Sequence, residues 1–151
     1  LIVSRGLGDV YKRQLHDGFL RVLEEDQLDL SLAYRWLTHQ ALQDSGHTPI
    51  GDLFIPSDGL LEWRSAWERR RDSNKVGSQD TGERMCQANP VVIPRNHHVA
   101  AAISDAEERD YEYLQAAFER WKTPFEWQDD DRRWAASPTP TERVTRTFCG
   151  T

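Results

Sequence analysis

Asn89-Pro90-Val91-Val92-Ile93-Pro94-Arg95-Asn96-His97-His98 is the stretch on which the fold turns. Two prolines bracket three β-branched residues, so the backbone there is extended and stiff. Asn89 and Ile93 each precede a proline and are pushed away from the helical region. Asn96 has the side chain of a helix N-cap, and an alanine-rich run begins at Val99. A helix, a rigid apolar strut and a second helix, capped at once, read as a buried corner. Arg95 is expected to be structural, bonding carbonyls or an acid of that corner. His97 or His98 is expected to hydrogen-bond locally at the helix start.

Working outward, helical periodicity dominates both flanks. Upstream, Phe19, Leu20, Val22 and Leu23 make a short helical face within residues 15–25. Asp29 or Ser31 caps a helix carrying Leu32, Ala33, Trp36, Leu37 and Ala41, which ends before Gly46, Pro49 and Gly51. Leu53-Phe54-Ile55 reads as a buried loop. Ser57 is an N-cap with Asp58 in the first turn, and Leu60, Trp63 and Trp67 follow on one side. Arg69-Arg70-Arg71, the one basic cluster, suits a helix C-terminus. Residues 72–82 are polar with two glycines and read as a linker, and residues 83–88 as a short helix entering the corner.

Downstream, Val99, Ala102, Ile103 and Ala106 form a narrow apolar stripe. Asp110 is placed to cap a helix on which Tyr111, Leu114, Phe118 and Trp121 mark the apolar side, and Pro124 stops it. Residues 125–151 have no period and read as an extended tail anchored by Trp127, Trp134 and Phe148. The fold class is therefore mostly α with an irregular tail, divided as residues 15–124 and 125–151. Residues 1–14 (LIVSRGLGDVYKRQ) resemble a translated sequencing adapter and are set apart from fold reasoning. The first residue is Leu and the single methionine is Met85, so a front part is expected to be missing.

Composition narrows the function. The 151 residues suit one domain, 38% hydrophobic and 29% charged, with a formal charge of −6. That balance argues against a nucleic-acid partner, which calls for a basic face, and no apolar run is long enough to span a bilayer. Two cysteines, Cys86 and Cys149, suggest a reducing compartment. Structural zinc wants paired ligands two to four residues apart, twice over. Adjacent His97 and His98 do not supply that, and each cysteine stands alone. Asp129 to Asp131 read as a solvated acidic run. Transfer chemistry on ATP needs a glycine loop over the phosphates, a basic residue on them, acids for magnesium and a base. No stretch after Gln14 carries such a set, so no catalytic, cofactor-binding or metal-ligating residue is assigned.

Four stretches in order carry a family resemblance. Asn89 to His97 resembles the N-P-x-x-I-P-R-N-H segment of the selenoprotein O family, the YdiU-like proteins. Asp29-Leu30-Ser31-Leu32-Ala33-Tyr34-Arg35 resembles its D-Y-T-x-x-F-R run. Trp63 and Trp67 fall as in its W-x-x-x-[WY]-x-x-R helix, and Phe148-Cys149-Gly150-Thr151 resembles its terminal F-C-G-T. The resemblance implies the helical C-terminal part of the large lobe of a kinase-like fold. The parent would be a cytoplasmic protein adenylyltransferase, moving AMP from ATP with Mg²⁺ onto hydroxyls of target proteins. Its catalytic motifs would lie in an N-terminal portion that this chain lacks and would pack against. Asn89, Pro90, Pro94, Arg95, Asn96 and His97 are carried over as a structural motif, and Cys149 as a redox or regulatory thiol whose disulfide partner would belong to the catalytic lobe. Two readings compete with this one. The first is a freestanding helical interaction module with Trp127 and Trp134 as anchors. The second is a thiol oxidoreductase using Cys149.

Overall fold

The computed structural model describes residues 7–42, 50–73, 78–129 and 131–144, and among these the backbone is helix upon helix with no strand. The helices are α1 (Leu7–Glu25), α2 (Leu30–Leu42), α3 (Asp58–Asp72), α4 (Ser78–Ala88), α5 (Asn96–Glu107), α6 (Glu112–Trp121) and the short α7 (Asp131–Ala135), with a 3₁₀ turn at Gly51–Leu53. The mostly helical class is as expected. No helix of the described residues is long and apolar enough to cross a membrane.

Packing follows α2 against α4, α5 against α6 and α1 against α3. Phe19 and Leu23 of α1 join Leu32, Trp36 and Leu37 of α2 and Leu60 of α3 in the core. Trp63 and Trp67 pack on it half-buried, and the Trp63 Nε1–H donates to the Leu15 carbonyl at 2.8 Å. Capping is local where expected. Asp29 Oδ1 accepts from the Leu32 N–H at 2.9 Å, and Ser57 Oγ accepts from the Leu60 N–H at 3.1 Å. Arg69, Arg70 and Arg71 occupy the last turn of α3, where cations offset the helix dipole.

Helix α1 runs from Leu7 across residue 15 to Glu25. Several expectations are corrected. Much of the expected linker is helical, because α4 begins at Ser78. Gly82 makes this packing feasible: a Cβ there would lie 2.5 Å from Leu42 Cδ2 and 3.0 Å from the Leu42 backbone nitrogen. Only a bare glycine lets α4 come so close to α2.

Helix α6 is rotated from the expected orientation. Tyr111, Leu114 and Phe118 are exposed, as is Ile103 of α5, while Ala117 and Arg120 are buried and Tyr113 and Trp121 pack on the core. The buried face centres roughly 100° round the helix from the expected one. Ala117 allows close approach, and Arg120 has an acid to meet. That acid is Asp131, fully buried and not part of a solvated run. Arg120 Nε and Nη2 both donate to its carboxylate, and further guanidinium N–H groups reach the carbonyls of Thr123 at 2.6 Å and Glu126 at 2.7 Å. The tail therefore folds back as α7, with Trp134 buried and Trp127 packed on the core. Phe148 lies outside the described residues.

Candidate functional site

The corner forms because two prolines deny residues 89–94 a helix. Helix α4 closes with the Asn89 N–H on the Met85 carbonyl at 2.8 Å. Val91 and Val92 are buried, and their N–H groups both reach the Pro124 carbonyl, at 2.7 and 3.3 Å. The strut is thus pinned to the loop that follows α6.

Two sequence stretches more than fifty residues apart close on each other here. The Arg35 Nη1–H donates to the Asn89 carbonyl at 3.1 Å. Asn89 Nδ2 donates to Thr38 Oγ1 at 2.9 Å. Arg95 forks onto Asp29, with Nη1 to Oδ2 at 2.6 Å and Nη2 to Oδ1 at 3.2 Å. Ser137 of the tail donates to Asp29 Oδ2 at 2.8 Å. One carboxylate therefore caps α2, holds Arg95 and ties down the tail. Burial works to raise its pKa, but the Arg95 pair and the Leu32 and Ser137 donors outweigh that and hold it below the usual carboxylate value.

Asn96 is not the cap. Arg95 has the extended conformation of the N-cap position (φ −71°, ψ 141°), its carbonyl accepts from the Val99 N–H, and Asn96 is the first helical residue, exposed. The Arg95 side chain is committed to Asp29, so this helix start has no side-chain cap. Pro94 is exposed and Pro90 half-buried.

His98, not His97, carries the long-range contacts. Its Nε2–H donates to the Arg133 carbonyl at 3.0 Å, and its Nδ1 accepts from the Tyr113 hydroxyl at 2.6 Å. That pairing defines the neutral tautomer. Burial pushes the His98 pKa down, and the neighbouring His97 and the Arg133 and Arg95 cations push the same way. His97, its ring 4.1 Å away, is also lowered chiefly by burial, although Glu142 pulls it upward. Trp134 completes an aromatic nest, 4.8 Å from His98 and 5.5 Å from Tyr113, with the Arg133 guanidinium 4.3 Å above its ring.

The arrangement is one of support. Asn89, Pro90, Pro94, Arg95, Asn96 and His97 lie together by sequence, and Asn89 and Arg95 reach across to α2. Sequence reasoning missed Asp29 as the hub, His98 as the bridge to the tail, and the Arg120–Asp131 pair. Each depends on a partner more than ten residues away, and no local pattern signals such a partner. Among the described residues no three of His, Cys, Asp and Glu converge to hold a metal ion. Cys86 has a free, half-buried thiol beside the Arg35 guanidinium. Cys149 lies outside the described residues. Trp134 is too deeply buried to anchor a partner.

No family model matches the chain. It is 34% identical over 140 residues to a protein nucleotidyltransferase YdiU of Maridesulfovibrio salexigens, covering 92% of this chain and 28% of that protein. It is 32% identical over 138 residues to the protein of that name from Rhizobium meliloti, covering 91% and 28%. A third, from Geobacillus kaustophilus, is 31% identical over 140 residues, with 92% and 28% covered. The chain thus spans little more than a quarter of the length of the curated relatives it matches.

Proposed function

We propose that the chain belongs to the YdiU family over the segment it shares with these proteins and serves there as the helical, non-catalytic C-terminal part of a nucleotidyltransferase. The parent would move AMP from ATP, with Mg²⁺, onto Ser, Thr or Tyr hydroxyls of target proteins in the cytoplasm. The partners are then the N-terminal catalytic portion and, through it, the protein substrates. Cys149 would act as a redox-sensitive thiol at the end of the tail.

The observation that carries this reading is the mutual closure of the Asp29–Arg35 and Asn89–His98 stretches. Asp29, Arg35, Asn89 and Arg95, four of the residues that make the resemblance, are engaged across the two stretches, and Asp29 also with the tail. They hold a lobe together and leave the chemistry to other residues. Two preparations test it. The purified chain, incubated with labelled ATP, Mg²⁺ and a protein acceptor, should transfer no nucleotide. The Rhizobium meliloti relative, with its matching segment replaced by this chain, should transfer label well above the same protein with that segment deleted. Transfer by the chain alone would overturn the reading, as would a folded chimera no better than the deletion.

A second reading, a freestanding helical interaction module, has Tyr111, just before α6, and Leu114 and Phe118 on it in its favour, all three exposed. It requires the isolated chain to melt cooperatively as a monomer that binds no hydrophobic dye. A lobe parted from its body would bind the dye and self-associate.

A further inference from the structure

A cavity of about 590 Å³ opens between α1, α2, α3 and α4, touching the corner only at Asn89. Its volume is in the range that small organic ligands occupy. Its walls are flat and apolar: Phe19, Tyr34, Trp63 and Trp67 supply rings, and Leu15 and Met85 fill between them. The Trp63 and Trp67 rings lie within 19° of parallel. Lys12, Arg70, Arg71 and Arg84 also line it, and among the described residues no aspartate or glutamate does, in a chain whose acids outnumber its Lys and Arg by 25 to 19.

Arg71 makes this more than an apolar hollow. Its side chain is 9% exposed, and its guanidinium lies 5.0 Å above the Trp67 ring. Nε donates to the exposed Asp72 carboxylate at 2.9 Å, yet Nη1 is buried with no hydrogen-bond partner. Nε of the neighbouring Arg70 is buried and unpartnered as well.

We propose that this cavity binds a small organic anion: a flat apolar body against Trp63 and Trp67, carrying one carboxylate or phosphate that meets Arg71 and Arg70. The site is separate from the proposed lobe function and stands whether or not that reading does. Arg70 and Arg71 line the cavity and bring the positive charge that the anion meets, and the rings shield the pair from water, which strengthens it. Arg84, exposed and paired with Asp80 at 3.3 Å, adds attraction at the rim.

Calorimetric titration of the full chain tests the proposal with three probes: 2-naphthoate, 2-naphthyl phosphate and neutral 2-naphthalenemethanol. Both anions should bind at least ten-fold tighter than the alcohol, with the stronger of the two identifying the headgroup. Added salt should weaken the anions and leave the alcohol unchanged. Arg71→Met should bring the anion-to-alcohol ratio below about three, and Arg84→Met should lower it about two-fold. Met85→Trp, which fills the cavity, should abolish binding of all three and so decide the matter even if Arg71→Met melts early. Equal affinity of anions and alcohol for the native chain would overturn the proposal. So would no binding by any probe, an anion preference that survives in Arg71→Met, or naphthyl binding unchanged in Met85→Trp.

Discussion

Replacing Arg120 with methionine tests how the tail is held. Arg120 and Asp131 have side chains 5% and 0% exposed, and the guanidinium donates to both carboxylate oxygens and to the Thr123 and Glu126 carbonyls. Asp131 Oδ2 also accepts the Gln128 N–H at 2.6 Å. Methionine fills much of the same volume, so the loss is electrostatic. The carboxylate stays buried with one remaining backbone donor, and two carbonyls lose their partner. Breaking a buried pair from one side costs about 3–5 kcal/mol. For a chain of this length, about 2–4 °C of melting temperature per kcal/mol converts that to a fall of roughly 6–20 °C. The double variant Arg120→Met/Asp131→Leu removes both charges and should recover most of the loss, since apolar replacements of a whole buried pair are often neutral. Thermal melts followed by far-ultraviolet circular dichroism read both. A single variant within about 1 kcal/mol of the parent would refute the reasoning, as would a double variant no more stable than the single.

Three further outcomes are expected. Gly82→Ala places a methyl 2.5 Å from Leu42 Cδ2 and should lower stability by about 1–3 kcal/mol in urea titration, with Leu42→Ala relieving part of the strain. Arg109 sits at φ 66° in the turn after α5, where the Asp110 N–H returns to the Asp105 carbonyl. Arg109→Gly removes the left-handed penalty and should raise the melting temperature by a few degrees, for a gain of about 1 kcal/mol. Acid should destabilise the fold in two stages. His98 and His97 have lowered pKa values, so below their unfolded value of 6.5 the unfolded chain takes up protons that the folded chain refuses, and stability falls with pH. Asp29 is lowered too, and its share is present above the ordinary 3.8 and lost as pH drops through its folded value. Melting temperature should be level between about pH 7 and 9, and His98→Phe should shrink the upper stage while leaving the lower one.

What the sequence disclosed and what it concealed divide by the reach of the interactions. Ser57 could be read as a cap because its acceptor and its donor lie three residues apart, and Pro90 and Pro94 restrict their own backbone wherever they stand. Asn96 was misread because capping depends on where the extended segment stops, and Arg95 takes that position while its side chain answers Asp29, 66 residues away. Hydrophobicity alone picks Tyr111, Leu114 and Phe118 as the inner face of α6. Yet the inner face belongs to Ala117 and Arg120, because Asp131 arrives from the tail to neutralise the arginine. The start of α4 looked like linker because Gly82 is a poor helix former, and its use appears only once Leu42 is opposite it. Asp29, the hub of the corner, was legible as a cap and concealed as a tether.

The corner also limits what loss-of-function data on longer relatives can mean. Both η nitrogens of Arg95, both ring nitrogens of His98 and the amide of Asn89 are taken up by neighbours within this chain. A group so engaged has little left for a substrate, so substituting it acts first on the position of α2, α5 and the tail. If a matching substitution in a full-length relative abolished nucleotide transfer, the physical expectation is a melting temperature lowered in step. Conservative replacements that keep the fork geometry would do least harm, and Arg95→Lys, which loses the two-pronged contact with Asp29, would fall between native and Arg95→Met. Activity lost at unchanged stability would instead mean that Arg95 leaves Asp29 in the working enzyme, which would make the corner a switch instead of a brace.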